Sequence, residues 1–319
     1  MAELDFEAPF VDGLKRLHEL RAYRGDPGKE REAAALKAQL DAARRQVYAN
    51  LTSWQRTLVA RHPNRPYTLD YVGALLTDFM EVKGDRRFAD DPAIICGFGM
   101  FEGRSVCIIG HQKGRDTKQK IYRNFGMPKP EGYRKAMRIM RMAEKFGRPI
   151  LTFVDTPGAY PGLDAEERGQ AEAIAFNLRE MAKLMVPVIV TVVGEGGSGG
   201  ALAIAVGNRV NMLENSVYSV ITPEGCASIL WRDAARAPEA ARAMKVAAAD
   251  LKALGLIDET IEEPPGGAHS DHDATFDAVR IVLSRQIKEL EGRSVQELLD
   301  DRYAKFRAMG RIGQDLVEG

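Results

Sequence analysis

The sequence predicts an α/β fold in which parallel strands alternate with helices, and three observations carry that prediction. Ile150–Val154 and Val186–Val193 are apolar runs of strand length, largely β-branched, as expected of strands buried on both faces. A helix-like stretch from about Glu166 to Met185 lies between them. Strand, turn, helix and strand in that order build a parallel sheet through right-handed crossovers. Each strand also runs into a turn rich in glycine: Asp155-Thr156-Pro157-Gly158-Ala159-Tyr160-Pro161-Gly162 after the first, Gly194-Glu195-Gly196-Gly197-Ser198-Gly199-Gly200 after the second. Ligands of such sheets sit outside the carboxyl ends of the strands, so the two turns are expected to line one site.

Composition narrows the class. A chain of 319 residues holds one large domain with appendages, or two domains, and can bury a substantial core. Lysine plus arginine equals aspartate plus glutamate, 45 each, which argues against a general nucleic-acid or membrane-surface binder. Cys96, Cys107 and Cys226 are widely spaced and form no C-x-x-C pair, so neither a zinc knuckle nor a disulfide framework is expected, and no metal is assigned to this chain. They fit a reducing compartment. No apolar run reaches about 18 residues, the length a membrane span needs. The acidic start, Met1–Asp5, lacks a signal-peptide core, so a cytoplasmic protein is expected.

The remaining elements follow in order. Leu36, Leu40, Val47 and Leu51 recur at helical spacing, and one long amphipathic helix is expected over residues 29–60, behind the break at Asp26-Pro27-Gly28. A proline-punctuated connector, Arg61–Tyr67, leads to a helix capped by Thr68 or Asp70 and running to about Val82. Ala93–Phe101 and Arg104–His111 flank Glu102-Gly103 and read as a hairpin. The basic loop that follows carries Lys113, Arg115 and Lys118; it reads equally as a solvated loop or as a contact for an anionic ligand. In a helix over 132–147, Met137, Met140, Ala143 and Phe146 share one face, expected to be core. Val217–Ile221 reads as a strand, Pro223 opens a short helix, residues 238–254 form an alanine-rich helix, Leu256–Ile261 a last strand, and 274–309 two helices. The expected organisation is an N-terminal helical extension (1–65), a core (66–265) and a C-terminal helical segment (266–319).

The glycine stretch is the strongest functional signal. A strand that turns into a helix through glycines leaves backbone N–H groups unpaired at the helix start, with the helix dipole behind them and no β-carbons in the way. That suits anion binding or stabilisation of a developing oxyanion. A P-loop is excluded, because no G-x-x-x-x-G-K-[ST] occurs. Gly196-Gly197-Ser198-Gly199-Gly200 satisfies G-x-S-x-G, and Asp258 and His269 follow in the order of a hydrolase triad, so a serine hydrolase using Ser198 is the alternative. His269, with Asp271 and His272, reads better as part of a solvated loop than as a base or a metal ligand. The third reading needs no side-chain nucleophile: the N–H groups of Gly199 and Gly200 hold an enolate-like oxygen. His111, Glu195 and Glu224 are available near the motifs but read as structural.

Six motifs then occur in order: Arg61-His62-Pro63-x-Arg65-Pro66-Tyr67-Thr68-Leu69-Asp70-Tyr71, Gly110-His111-Gln112-Lys113-Gly114-Arg115, Asn124-Phe125-Gly126-Met127-Pro128, Asp155–Gly162, Glu166-Glu167-Arg168-Gly169-Gln170 and Gly194–Gly200. Together they closely resemble the α subunits of bacterial acetyl-CoA carboxylase carboxyltransferase, over roughly residues 30–290. The resemblance implies a crotonase-like fold of repeated ββα units coiled into a superhelix. It implies transfer of a carboxyl group from carboxybiotin, held on a separate biotin carboxyl carrier protein, to acetyl-CoA, giving malonyl-CoA for fatty-acid synthesis. It further implies a zinc-containing β subunit, a biotin carboxylase and an α₂β₂ assembly. In that setting Gly199 and Gly200 would stabilise negative charge left on the biotin ureido oxygen. Gly197 and Ser198, with Gly158, Ala159 and Tyr160 on the neighbouring turn, would line the biotin pocket.

Overall fold

Among the described residues eight strands form one sheet, and its register decides where the two glycine-rich turns meet. In the computed structural model, which describes residues 4–23 and 25–310, the strands are β1 (Thr77–Glu81), β2 (Ile94–Phe101), β3 (Arg104–His111), β4 (Ile150–Thr156), β5 (Val188–Gly197), β6 (Arg209–Leu213), β7 (Val217–Ser219) and β8 (Glu259–Ile261). Their order is β1-β2-β3-β4-β5-β6-β8, with β7 paired to the end of β5. The pairs β1–β2 and β2–β3 are antiparallel, and every pair from β3 onward is parallel. Met1–Glu3, which belong to the N-terminal stretch read as lacking a signal peptide, and residues 311–319 lie outside the described residues.

The helices are α1 (Val11–Ala22), α2 (Pro27–Ala49), α3 (Ser53–Ala60), α4 (Thr68–Leu75), α5 (Thr117–Tyr122), α6 (Pro130–Lys145), α7 (Leu163–Glu167), α8 (Gln170–Met181), α9 (Ser198–Leu202), α10 (Pro223–Trp231), α11 (Ala237–Met244), α12 (Ala248–Ala253), α13 (His272–Glu291) and α14 (Val295–Ala308). Every residue of β4 and β5 is buried, which explains why Ile150–Val154 and Val188–Val193 carry only apolar side chains apart from Thr152 and Thr191. Alternate residues feed two cores, following the period of two along a strand. Ile150, Val154, Val188 and Val190 join Met137 and Met140 of α6 on one face. Leu151, Phe153 and Ile189 join Tyr71 of α4 and Phe276 and Leu283 of α13 on the other.

The hairpin β2–β3 is as read, with Glu102 (φ 48°) and Gly103 (φ 79°) both left-handed at its tip, the turn that matches strand twist. Several expected helices are shorter or broken. The helix expected over 29–60 is α2 plus α3: Asn50 caps the first, and a Thr52–Gln55 capping box restarts the second. The helix expected to reach Val82 stops at Leu75, and Thr77–Glu81 becomes β1. Glycine in β2 explains that change, because a β-carbon at Gly97 would lie 2.7 Å from the Phe79 ring and 2.3 Å from the Met80 carbonyl oxygen. The 166–185 helix divides at Gly169, which is left-handed (φ 83°), and the 238–254 helix at Lys245 (φ 51°). Met137, Met140 and Ala143 are core, but Phe146 lies beyond the end of α6 and is 60% exposed. β6 has no counterpart in the sequence reading.

Candidate functional site

Asp155 is where the site begins. Val192 of β5 lies opposite Val154 of β4, and Gly196 opposite Thr156. Three residues of β5 (Val193, Gly194 and Glu195) therefore face one of β4, a bulge that breaks the ladder. The Asp155 carboxylate fills the break. Its Oδ1 accepts the Glu195 backbone N–H at 3.0 Å, and it lies 2.3 Å from where a β-carbon on Gly194 would stand. Beyond the bulge β5 changes partners, from β6 at Ile189–Val192 to β7 at Glu195–Gly197.

A chain of ion pairs fixes this crossing point. Lys113 Nζ stands 2.7 Å from Asp155 and 3.0 Å from Glu195. Arg61 holds the other Glu195 oxygen at 2.6 Å and also pairs with Glu224. One step upstream, the buried Arg65–Glu263 pair donates from Arg65 Nη2 to the Val193 carbonyl at 2.9 Å. Burial pushes the Glu195 carboxyl upward, but the Lys113 and Arg61 charges outweigh it and hold the group below its ordinary range. Burial likewise favours a neutral Lys113, and Asp155 and Glu195 reverse that, keeping it charged. This part of the site is a charged scaffold in which Glu195 and Glu224 are both ion-paired.

The glycine turn divides differently from the sequence reading. Gly194–Gly197 belong to β5, and α9 begins only at Ser198 and lasts five residues. So short a helix adds little dipole, and the donors themselves are what the turn offers. As first-turn positions, Gly199 and Gly200 have no carbonyl one turn back to receive their N–H groups. Gly200 is buried against the β4 turn: a β-carbon there would stand 2.5 Å from the Gly158 carbonyl carbon and 2.6 Å from the Ala159 nitrogen. Gly199 is half-buried, and its nearest neighbour on that side is Ile174 at 3.4 Å.

Gly158 and Ala159 thus come together with Gly197 and Gly200, whereas Tyr160, further along the same turn, is tied to Pro128 and Gln170. Thr156 Oγ1 accepts the Gly158 N–H at 3.1 Å, and Tyr160 N–H bonds to the Pro128 carbonyl at 3.0 Å. Gln170 donates to the carbonyls of Pro128 and Tyr160, both at 2.9 Å. A cavity of about 270 Å³ opens beside Ser198, lined mainly by apolar side chains including Leu202, Ala205, Val220 and Leu256.

His111 also lies here, fully buried, with Nδ1 3.4 Å from the Asp155 N–H and the ring against the backbones of Phe153 and Gly200. The basic loop is not one unit. Lys113 belongs to the buried scaffold, Arg115 lies 4.5 Å over the Tyr67 ring and pairs with Asp70, and Lys118 is exposed.

The hydrolase alternative fails on position. Asp258 accepts from the Val210 N–H and pairs with Lys305. His269 stacks on His62 at 3.8 Å between ring centres, near Glu7. Among the described residues Ser198 hydrogen-bonds to neither. Asp271 caps α13, and His272 Nε2 meets the Asn64 carbonyl oxygen. The described residues contain no cluster of three metal-ligating side chains. Ser198 does not cap α9 either: the cap is Gly197, with no side-chain bond, and Ser198 is left-handed at φ 52°. Sequence reasoning missed Lys113, Asp155, Arg61 and Arg65 as one assembly. The available signal was a charged residue directly after an apolar strand (Asp155) and another among glycines (Glu195).

Residues 3–310 match the family model described as acetyl co-enzyme A carboxylase carboxyltransferase-like. The acetyl-coenzyme A carboxylase carboxyl transferase subunit alpha of Syntrophotalea carbinolica is 61% identical over 311 residues, covering 97% of this chain and 98% of the relative. That of Geobacter metallireducens is 56% identical over 313 residues, covering 98% of each. Among solved structures, transcarboxylase 12S aligns with a TM-score of 0.59 at 20% identity, over 72% of this chain and 42% of that one. A Pseudomonas malonate decarboxylase hetero-tetramer in complex with coenzyme A aligns with a TM-score of 0.57 at 19% identity, over 72% and 89%. The fold is thus the crotonase-like one of carboxyltransferases, and the chain belongs to the acetyl-CoA carboxylase carboxyltransferase family.

Proposed function

We propose that the chain is the α subunit of an acetyl-CoA carboxylase carboxyltransferase, passing a carboxyl group from carboxybiotin on a separate carrier protein to acetyl-CoA to form malonyl-CoA for fatty-acid synthesis. The observation that carries this reading is the family match from residue 3 to residue 310, which includes both turns of the site. Within the chain, residues 66–265 are assigned as the carboxyltransferase core, with 1–65 and 266–319 as helical segments around it.

Gly199 and Gly200 are assigned as the oxyanion donors, through their backbone N–H groups. Gly197 and Ser198 shape the approach, and Gly158, Ala159 and Tyr160 line the biotin pocket. Open first-turn amides suit a ligand on which a negative oxygen develops, and of the assigned residues Ser198 alone lines the neighbouring apolar cavity. Carboxybiotin supplies the transferable carboxyl group. The chain's part is to hold the developing negative oxygen in a preorganised place, where one such donor is worth about 2.7–4 kcal/mol. No acid–base side chain is assigned, since the charged groups nearby are consumed by one another: Lys113 by Asp155 and Glu195, Arg61 by Glu195 and Glu224.

The partners assigned are a zinc-containing β subunit that completes the acetyl-CoA pocket, the biotin carboxyl carrier protein and biotin carboxylase, in an α₂β₂ transferase. The described residues hold no helix long and apolar enough to cross a membrane, and a cytoplasmic location goes with this proposal. Reconstitution tests it. The purified chain alone is expected to be inactive, and mixing with the β subunit should restore biotin-dependent decarboxylation of malonyl-CoA, the reverse reaction. Full activity from the isolated chain would sink the reading.

A further inference from the structure

We propose that His111 is a positioning residue for the oxyanion site, acting as a neutral imidazole that ties the end of β4 to the Gly200 backbone. The proposal rests on the assignment of the Gly199 and Gly200 amides made above, and extends it to a side chain that touches neither substrate nor cofactor.

The need for such a residue comes from the glycines. Gly199 and Gly200 have no side chains to pack, and glycine has the widest backbone freedom of any residue, so nothing local fixes the direction of their N–H groups. Orientation must come from whatever touches the peptide units. On the β4 side the contact is the Gly158–Ala159 backbone. On the β3 side it is His111, the last residue of its strand and completely buried.

The ring is held from several directions. Its own backbone carbonyl accepts from Thr68 Oγ1, anchoring it to α4. Nδ1 accepts the Asp155 N–H at 3.4 Å, so the proton of the neutral ring sits on Nε2. Nε2 is buried and, among the described residues, makes no hydrogen bond of ordinary geometry. The Gly200 backbone lies against the ring. At the end of α9, Ala203 N–H goes to the Gly199 carbonyl and Ile204 N–H to that of Ala201, which passes over the Gly200 carbonyl. A buried donor lacking an acceptor and a carbonyl passed over by the helix are therefore neighbours. An unmet buried donor costs about 1–3 kcal/mol. Catalytic hydrogen bonds that are long in the free protein tighten in the loaded complex. His111 Nε2–H closes on the Gly200 carbonyl when negative charge develops at the site, fixing Gly200 and its N–H in the productive direction. Burial, with the Lys113 charge adding to it, pushes the imidazole down to about 3, so the ring remains neutral and keeps this tautomer at working pH.

The test separates the two ring nitrogens. Asn at 111 offers an acceptor for Asp155 near the Nδ1 position and no donor to Gly200. Gln reaches further and places an N–H near the Nε2 position. Phe fills the space with neither. His111→Asn, His111→Gln and His111→Phe are assembled with the β subunit, and kcat and KM for malonyl-CoA are measured in biotin-dependent decarboxylation, with Tm alongside. The expected result is a kcat lower by about 10²-fold for Asn and Phe, the size of loss that a misplacement of about 1 Å gives, with KM within twofold of wild type and most of kcat regained in Gln. Gln no better than Asn, whether measured in folded assemblies or because no variant assembles, overturns the proposal. So do three variants at wild-type kcat. Gly200→Val in the same assay keeps the two ideas apart. If it lowers kcat while the Asn and Gln variants are alike, the amide assignment stands and the positioning role is lost. If Gly200→Val leaves kcat unchanged, the amide assignment fails and the positioning role falls with it.

Discussion

The two halves of the glycine stretch are built in opposite ways. Gly194–Gly197 finish β5 and sit inside a mesh of charge: Asp155 on the Glu195 amide, Lys113 and Arg61 on its carboxylate, Arg65 on the Val193 carbonyl. Ser198–Gly200, immediately after, carry no ion pair and leave their first-turn amides open. In the first half glycine is required because a neighbour occupies the β-carbon position, as Asp155 does at Gly194. In the second half Gly200 meets the same demand, with the Gly158–Ala159 backbone 2.5–2.6 Å from its β-carbon position, while Gly199 has only Ile174 at 3.4 Å, and the absent side chains leave the first-turn donors uncovered. The difference teaches that a site made of backbone amides depends on rigidity supplied from elsewhere, and here charged residues from β4, the loop after β3 and the Arg61–Arg65 connector supply it.

The largest expected effect comes from breaking the charged half. Lys113→Met leaves Asp155 and Glu195 facing each other without their shared cation, and loss of one partner from a buried pair costs about 3–5 kcal/mol. Urea denaturation should report a loss of that size, and an unchanged midpoint would mean that the mesh contributes no rigidity. Next comes the open half. Gly200→Val places atoms within 2.5 Å of the Gly158 backbone and should lower kcat by about 10²–10³-fold while β-subunit association, followed by gel filtration, survives. A near-normal rate in a folded assembly would remove Gly200 from the reaction.

A smaller effect links the halves through pH. His111 stays neutral in the folded chain down to about 3, whereas in the unfolded chain it takes up a proton near 6.5. The unfolded state therefore binds more protons below 6.5, and stability is full above that pH and falls as pH drops from 6.5 toward 3. Between pH 6.5 and 5 the slope attributable to one such group approaches about 1.4 kcal/mol per pH unit, with His62, lowered to about 4 by burial, adding to it and Asp91, raised to about 6, opposing it. His111→Gln should lower the slope by that one group's share. An equal slope in the variant would place the titration elsewhere.

Parts of this arrangement were legible in the sequence for physical reasons that can be named. β4 and β5 are buried on both faces, so their apolar runs stand out, and the β2–β3 hairpin announces itself through Glu102-Gly103. β6 was hidden because Arg209 and Asn211 interrupt its apolar pattern. Asn211 is buried all the same, satisfied by paired hydrogen bonds with Gln286 at 2.8 and 2.9 Å, a partner 75 residues away. The extra breaks at Gly169 and Lys245 depend on left-handed backbone that helical periodicity does not reveal. The glycine turn stood out in the sequence, but not the point where strand gives way to helix, since pairing with β7 draws Glu195, Gly196 and Gly197 into the sheet. The charged mesh was invisible because its members are far apart in the chain, 134 residues for Arg61 and Glu195 and 82 for Lys113 and Glu195.

The central claim is that backbone amides, with no serine nucleophile, serve carboxyl transfer. It is tested most directly by the rate of Ser198→Ala assembled with the β subunit, in biotin-dependent malonyl-CoA decarboxylation. Among the described residues Ser198 makes no cap bond and no hydrogen bond to a histidine or carboxylate, so its hydroxyl has little to lose, and the variant should keep a rate within about tenfold of wild type, a change of at most about 1.4 kcal/mol. The wild-type chain should likewise remain unlabelled by a fluorophosphonate probe. A fall of several orders of magnitude, with stoichiometric labelling at Ser198 in the wild type, would contradict the claim and make the serine the reacting group.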